Sequence, residues 1–216
     1  MISALVKYLT VDYPKHYGIT RHISSLRIEN NNGGVFEIAD KRTAIIQPQG
    51  NGVARIYNNT GMTVEIVDIE KYIADLAGTI AGEGKCCDFV IAPEAGNSIL
   101  MLVELTAAES KFIKPYVKPT TGQHKSGKRA TAIEQLTDTI NRLNETTTFV
   151  DDFKKRVALF AFRLTDRQRL SATQKRNTKA WSRSTRKFSG NTTNSKALPN
   201  GFVLEQRQYP QVFEMT

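Results

Sequence analysis

Cys87-Asp88-Phe89-Val90-Ile91 and Leu100-Met101-Leu102-Val103-Glu104-Leu105-Thr106 are two apolar runs of β type. They flank Pro93-Glu94-Ala95-Gly96-Asn97-Ser98, whose proline, glycine and asparagine mark a turn. Runs of that kind around such a break read as an antiparallel hairpin. If the hairpin is symmetric about Gly96, positions equally far from it lie opposite one another, and Asp88 faces Glu104. Opposed carboxylates on a sheet repel and reduce stability. The commonest chemical reason to keep such a pair is a hard divalent cation held between them. A different register, or a solvated face carrying both acids, is the plain alternative.

Working outward, Asp68 stands as N-cap to a helix through Ile69, Tyr72, Ile73, Leu76, Ala77 and Ile80, ending near Gly82 and Gly84. The residues before it are strand-rich. Val35–Ile38, Thr43–Ile46, Val53–Tyr57 and Met62–Val67 are separated by Asn/Gly turns, so a meander is expected. After the hairpin, Ala107–Ile113 suggests a short helix, and Pro115–Gly127 has too many prolines and glycines for regular structure. A second helix is expected from about Ala130 to Leu143, with Ile133, Leu136, Ile140 and Leu143 on one stripe. Lys155–Leu164 reads as a strand from the centre of a sheet, and Phe202–Leu204 and Val212–Phe213 as short strands. The expected class is α/β: a mixed central sheet flanked by helices over residues 68–216, preceded by a β-rich N-terminal region over residues 1–67.

A chain of 216 residues, 40% hydrophobic and 24% charged, can bury one good-sized core. No apolar run approaches membrane-crossing length, and Met1–Lys7 lacks the basic leader and apolar stretch of a secretory signal. Cys86 and Cys87, the only cysteines, are adjacent and point to opposite faces of a strand, which disfavours a disulfide or a zinc site. His16, His22 and His124 show no ligand spacing. A cytoplasmic protein with no membrane association is the expectation.

The net charge of +9 is unevenly spread. Residues 111–129 hold six Lys/Arg and residues 167–196 hold nine, neither with any acid, so the remainder of the chain is net acidic. Confinement of the basic excess to two stretches is how a polyanion-binding surface looks in sequence. Solvated lysine-rich loops are the alternative. Lys125, Lys128 and Arg129 in the first stretch, and Lys175, Arg176, Lys179, Arg183, Arg186 and Lys187 in the second, are candidates for backbone phosphates. Trp181, with Phe188 and Tyr116, offers a ring on which bases could stack.

The order of helix, strand with Asp88, turn, strand ending Val103-Glu104-Leu105-Thr106, and helix with Ala132-Ile133-Glu134-Gln135-Leu136 resembles the restriction-endonuclease-like, PD-(D/E)XK, nuclease superfamily. The resemblance covers roughly residues 68–164, and its motif is short and degenerate. It implies a restriction-endonuclease-like core and hydrolysis of phosphodiester bonds with Mg²⁺ or Mn²⁺, on DNA rather than RNA. Residue by residue, it makes Asp88 and Glu104 metal ligands, with the Leu105 carbonyl as a third oxygen. It also places a helical Glu nearby, best matched by Glu70 ahead of Glu65 and Glu83, and a Gln, matched by Gln135. The chain departs from the motif at Thr106, where the superfamily has a lysine. A threonine hydroxyl can orient water but brings no positive charge. Lys85 has the wrong parity for that strand face unless a bulge intervenes, and Lys111 on the next element is the other candidate.

Two other readings compete. Gly122-Gln123-His124-Lys125-Ser126-Gly127-Lys128-Arg129 nearly matches the phosphate-binding P-loop and opens a helix, but Arg129 stands where Ser or Thr is needed, and no buried apolar strand precedes it. A catalytically inactive nucleic-acid-binding protein on the same fold is favoured by Thr106 and opposed by the retained acid pair. A homodimer, or a subunit of a larger assembly, is also compatible with the sequence.

Overall fold

The computed structural model describes residues 2–20, 26–118, 120–146, 148–165 and 197–215. His22 and the whole basic stretch 167–196, with Lys175, Arg176, Lys179, Trp181, Arg183, Arg186 and Lys187, lie outside the described residues.

The central six-stranded sheet runs in the order β1 (Ile28–Asn31), β5 (Val64–Asp68), β6 (Phe89–Pro93), β7 (Ile99–Ala108), β10 (Lys155–Leu164) and β11 (Val203–Gln208). The first four are antiparallel neighbours, whereas β7, β10 and β11 are parallel. Parallel strands need a long crossover. Between β7 and β10 it is supplied by helix α4 (Lys128–Thr146), longer at both ends than its apolar stripe requires. The sheet is mixed and helix-flanked, as expected.

Alternation along the strands builds two cores. Leu100 and Leu102 of β7, Val90 and Ala92 of β6, and Phe160 and Phe162 of β10 point to the helical layer. That layer comprises α4, α3 (Ile69–Asp75) and an N-terminal helical segment not foreseen in the sequence. The segment runs through α1 (Ala4–Lys7), a π turn (Tyr8–Asp12) and α2 (Tyr13–His16). Pro14 cannot donate a backbone hydrogen bond, so the helical ladder is interrupted where it enters. The buried Tyr8, Tyr13 and Tyr72 hydroxyls donate to the carbonyls of Leu143, Ala81 and Leu9, which is how three phenols are accommodated in an apolar layer.

The intervening residues Met101, Val103, Phe89, Ile91 and Leu159 face a second sheet. Its order is β12 (Val212–Met215), β4 (Ala54–Asn58), β2 (Gly34–Ile38), β3 (Ile46–Gln47). Burial on both faces explains why the hairpin strands are almost wholly apolar instead of alternating.

The meander expectation is corrected here. Strand β5 leaves β4 and joins β1 in the large sheet, while the chain end returns as β12 beside β4. The β-rich N-terminal region thus contributes strands to both sheets. Ala107 and Ala108 extend β7, and Ser110–Phe112 form only a 3-10 turn, so the short helix expected over Ala107–Ile113 is absent. Tyr116–Val117 and His124–Lys125 pair as a small hairpin (β8, β9) where irregular chain was expected. Helix α3 ends early at a Leu76 C-cap, where Leu76 N and Ala77 N bond three residues back to the Ile73 and Ala74 carbonyls, and Gly78, with a positive φ of 85°, turns the chain away.

Asp68 is the expected N-cap of α3. One carboxylate oxygen accepts from Lys71 N at 2.8 Å and the other pairs with Arg27 at 2.7 Å. Asp68→Ala should lower unfolding free energy by about 2 kcal/mol in urea titration, and an unchanged midpoint would show that the cap is dispensable.

Candidate metal centre

Hairpin register decides whether the two acids meet. Phe89 pairs with Val103, Val90 with Leu102 and Ile91 with Met101, so symmetry about Gly96 holds and the next step places Asp88 beside Glu104. Both side chains share parity with Leu102 and Val90 and point to the helical layer. Both are buried, each 6% exposed. Asp88 Oδ2 accepts from the Leu105 amide at 2.6 Å. Glu104 Oε2 has no hydrogen-bond partner among the described residues.

Asp88 is clamped by both neighbouring helices. Its carbonyl accepts from Ile69 N at 3.0 Å and Glu70 N at 3.4 Å, which seats the first turn of α3 on the strand and brings Glu70 alongside. From α4, Gln135 Nε2 donates to the Cys86 carbonyl at 3.0 Å, and Thr139 Oγ1 accepts from Cys87 N at 2.8 Å. Gln135 therefore holds the strand that carries Asp88.

A third acid forms a triad with Glu70 and Asp88. Asp40, just beyond β2, brings its carboxylate to Glu70 and Asp88, and one oxygen of each lies within 4.8 Å of the others. Glu104 adjoins Asp88 but is not in that set. Asp40 was missed because only long-range packing brings it here. The one local hint is its position as the first acid after a β run, directly before Lys41 and Arg42.

Electrostatics follow from crowding and burial. Desolvation pushes the Asp88 carboxyl well above its usual range, and Asp40 and Glu70 add to the rise, against the Leu105 amide and Lys41. Glu104 is raised first by burial, then by Asp88, Glu70 and Asp40. Glu70 shifts the same way, through burial and then Asp40, with Lys41 opposing. Lys41 Nζ lies 3.4 Å from Asp40 Oδ2 and is held protonated chiefly by Asp40, then Glu70. Asp88, Glu104 and Glu70, whose ionisation is disfavoured by burial and by neighbouring acids, stand with Asp40 where a divalent cation would be a natural counter-charge. Its donor set, all carboxylate oxygen, suits a hard ion such as Mg²⁺ or Mn²⁺.

The remaining candidates are placed as follows. Thr106 is half-buried, two residues after Glu104 on the same strand face. The contact Leu105 makes with the acids is through its amide. Lys111 Nζ pairs with Glu109 at 2.7 Å and stands over the Phe112 ring, and Lys85 Nζ pairs with Glu134 at 3.9 Å, so neither supplies a charge at the cluster. Glu65 is buried elsewhere, accepting from Ser3 Oγ, and Glu83 is exposed. Lys125, Lys128 and Arg129 are exposed around the start of α4, where Arg129 Nε donates to Gln206 Oε1 at 3.2 Å. The P-loop-like run follows no buried strand, because the strand before it, β8, is two residues, one half-buried and one exposed. Cys86 and Cys87 are unbridged, and burial holds both thiols protonated. Among the described residues no helix is long and apolar enough to cross a membrane. No protein-family model matches this chain, and no curated protein and no solved structure shows significant similarity to it.

Proposed function

We propose that this protein is a divalent-metal-dependent nuclease that hydrolyses phosphodiester bonds of DNA. The observation that carries the reading is the convergence of Asp40, Glu70 and Asp88 beside a buried glutamate whose Oε2 is unpartnered among the described residues. A buried carboxylate oxygen without a partner is costly, and a cation held by Asp40, Glu70 and Asp88 would offset the crowding of acids beside it. Asp40, Glu70 and Asp88 would hold Mg²⁺ or Mn²⁺, and Glu104 Oε2 is the orphan oxygen such an ion would satisfy. When bound, the ion neutralises charge developing on a phosphoryl group and lowers the pKa of water. Thr106, half-buried on the Glu104 face, would orient water there. Exposed Lys125, Lys128 and Arg129 supply cations for the phosphate backbone. The superfamily resemblance supports the same chemistry and is the source of the DNA preference.

The test is cleavage of plasmid and single-stranded DNA in Mg²⁺ and Mn²⁺. Asp88→Ala is expected to reduce the rate at least about 100-fold, and undiminished cutting would remove the proposed site. The threonine at position 106 favours a second reading, a non-cleaving nucleic-acid-binding protein. Under that reading DNA binds, but calorimetry with Mn²⁺ gives no heat attributable to the acids.

A further inference from the structure

A cleft of about 550 Å³ opens next to the acid cluster and shares Asp40 with it. Its walls come from both sheets: Arg42 beyond β2, Gln47 of β3, Gly50 and Asn51 of the β3–β4 loop, and Arg163 of β10. That volume lies within the range of small-ligand sites.

The loop forming one wall is braced from two sides. Glu37, 2% exposed, accepts from Gly50 N and Gly52 N, both at 2.9 Å, and from the Tyr209 hydroxyl at 3.1 Å. Arg163 Nη1 donates to the Gly50 and Gly52 carbonyls at 2.8 and 2.7 Å, while its guanidinium lies 4.4 Å from the centre of the Tyr209 ring. A Cβ on Gly52 would stand 2.5 Å from Glu37 Cβ, so only glycine fits there. A buried carboxylate and a stacked arginine committed to one surface loop fix the shape of the cleft wall, the rigidity that a recognition surface needs.

The lining has a readable chemistry. Arg42, exposed and in no ion pair among the described residues, offers a guanidinium fork of the kind that binds phosphate in two-pronged fashion. Asn51, exposed, carries an amide suited to base edges, while the Gln47 amide nitrogen donates to the Ala44 carbonyl and leaves its oxygen to accept. Ala39, Val53 and Ala107 supply small apolar surface for a flat ring.

We propose that this cleft is the subsite for one unpaired nucleotide adjoining the phosphodiester presented to the acids. This rests on the nuclease reading, and it makes single-stranded or frayed DNA the preferred substrate. A base within a duplex is stacked and cannot enter a cleft of this size without being extruded.

The experiment is a titration of the full chain with deoxyadenosine 5′-monophosphate, followed by NMR or calorimetry, beside a separate Mn²⁺ titration. Wild type is expected to bind the nucleotide. The double variant Arg42→Ala/Asn51→Ala, altered only at exposed positions, should bind it at least tenfold more weakly, with Mn²⁺ affinity and melting temperature unchanged. Cleavage of single-stranded over duplex DNA should fall in the same variant. Absence of nucleotide binding by wild type, or equal binding by the double variant, overturns the subsite. If wild type cuts no DNA yet its nucleotide binding is lost in the variant, the nuclease reading fails while the cleft stands as a nucleotide site.

Discussion

Glu104→Gln is expected to raise the melting temperature of the metal-free protein at pH 8 by on the order of 5 °C, while weakening Mn²⁺ binding by roughly 100-fold. The two effects have one origin. Glutamine has the shape of the glutamate without its charge, and Glu104 Oε2 sits buried with no hydrogen-bond partner among the described residues. In the metal-free fold the carboxyl must either ionise beside Asp88 or hold a proton that the unfolded chain would release at neutral pH. Either course reduces stability, and the amide avoids both. The same charge is what a cation requires, so the stabilised variant should also lose cleavage. The advantage should shrink as the pH approaches 4, where glutamate is protonated in the unfolded chain as well. A fall in melting temperature at pH 8, measured by scanning calorimetry, would mean that the acid has a structural partner and does not belong to a metal centre.

Wild-type protein stripped of metal should become less stable as the pH rises from about 4 through neutrality, and over the same range its affinity for Mn²⁺ should climb. Asp88 and Glu104 have proton affinities raised first by burial and then by neighbouring acids, Asp40 and Glu70 for Asp88, and Asp88, Glu70 and Asp40 for Glu104, so the folded state binds more protons than the unfolded state across this window. Stability is therefore fullest below the ordinary carboxylate range and declines until the raised range above neutrality is passed. A divalent ion competes with those protons. If each binding event displaces one proton, affinity rises about tenfold per pH unit between pH 6 and 8. Denaturation at several pH values, with and without Mn²⁺, checks the sign. A stability that increases with pH without metal, or a Mn²⁺ affinity flat with pH, would contradict the charge state assigned to the pair.

Much of the site was legible in one dimension because it depends on short-range geometry. The turn around Gly96 fixes which residues of the hairpin oppose each other, and side-chain alternation fixes the face, so Asp88 and Glu104 could be paired from spacing alone. The cap at Asp68 was legible for the same reason, and with it the start of the helix that delivers Glu70. The helical stripe of α4 and the buried character of β10 followed from their apolar periods. The N-terminal helical segment was not read, since its tyrosines and proline give a weak helical signal, and its stability comes from ring packing against Tyr72 of α3 and Phe149 just beyond α4.

What the sequence alone determined, then, is the mixed α/β class, the hairpin register and the opposition of two acids, all consequences of contacts between near neighbours or of strict period. The tertiary structure decided that β2 ends against the cluster and makes Asp40 its third acid, that Lys111 and Lys85 turn to other carboxylates, and that a braced cleft adjoins the acids. Those features depend on how two sheets stack. The stacking is set by the summed fit of dozens of buried side chains, which no local pattern encodes.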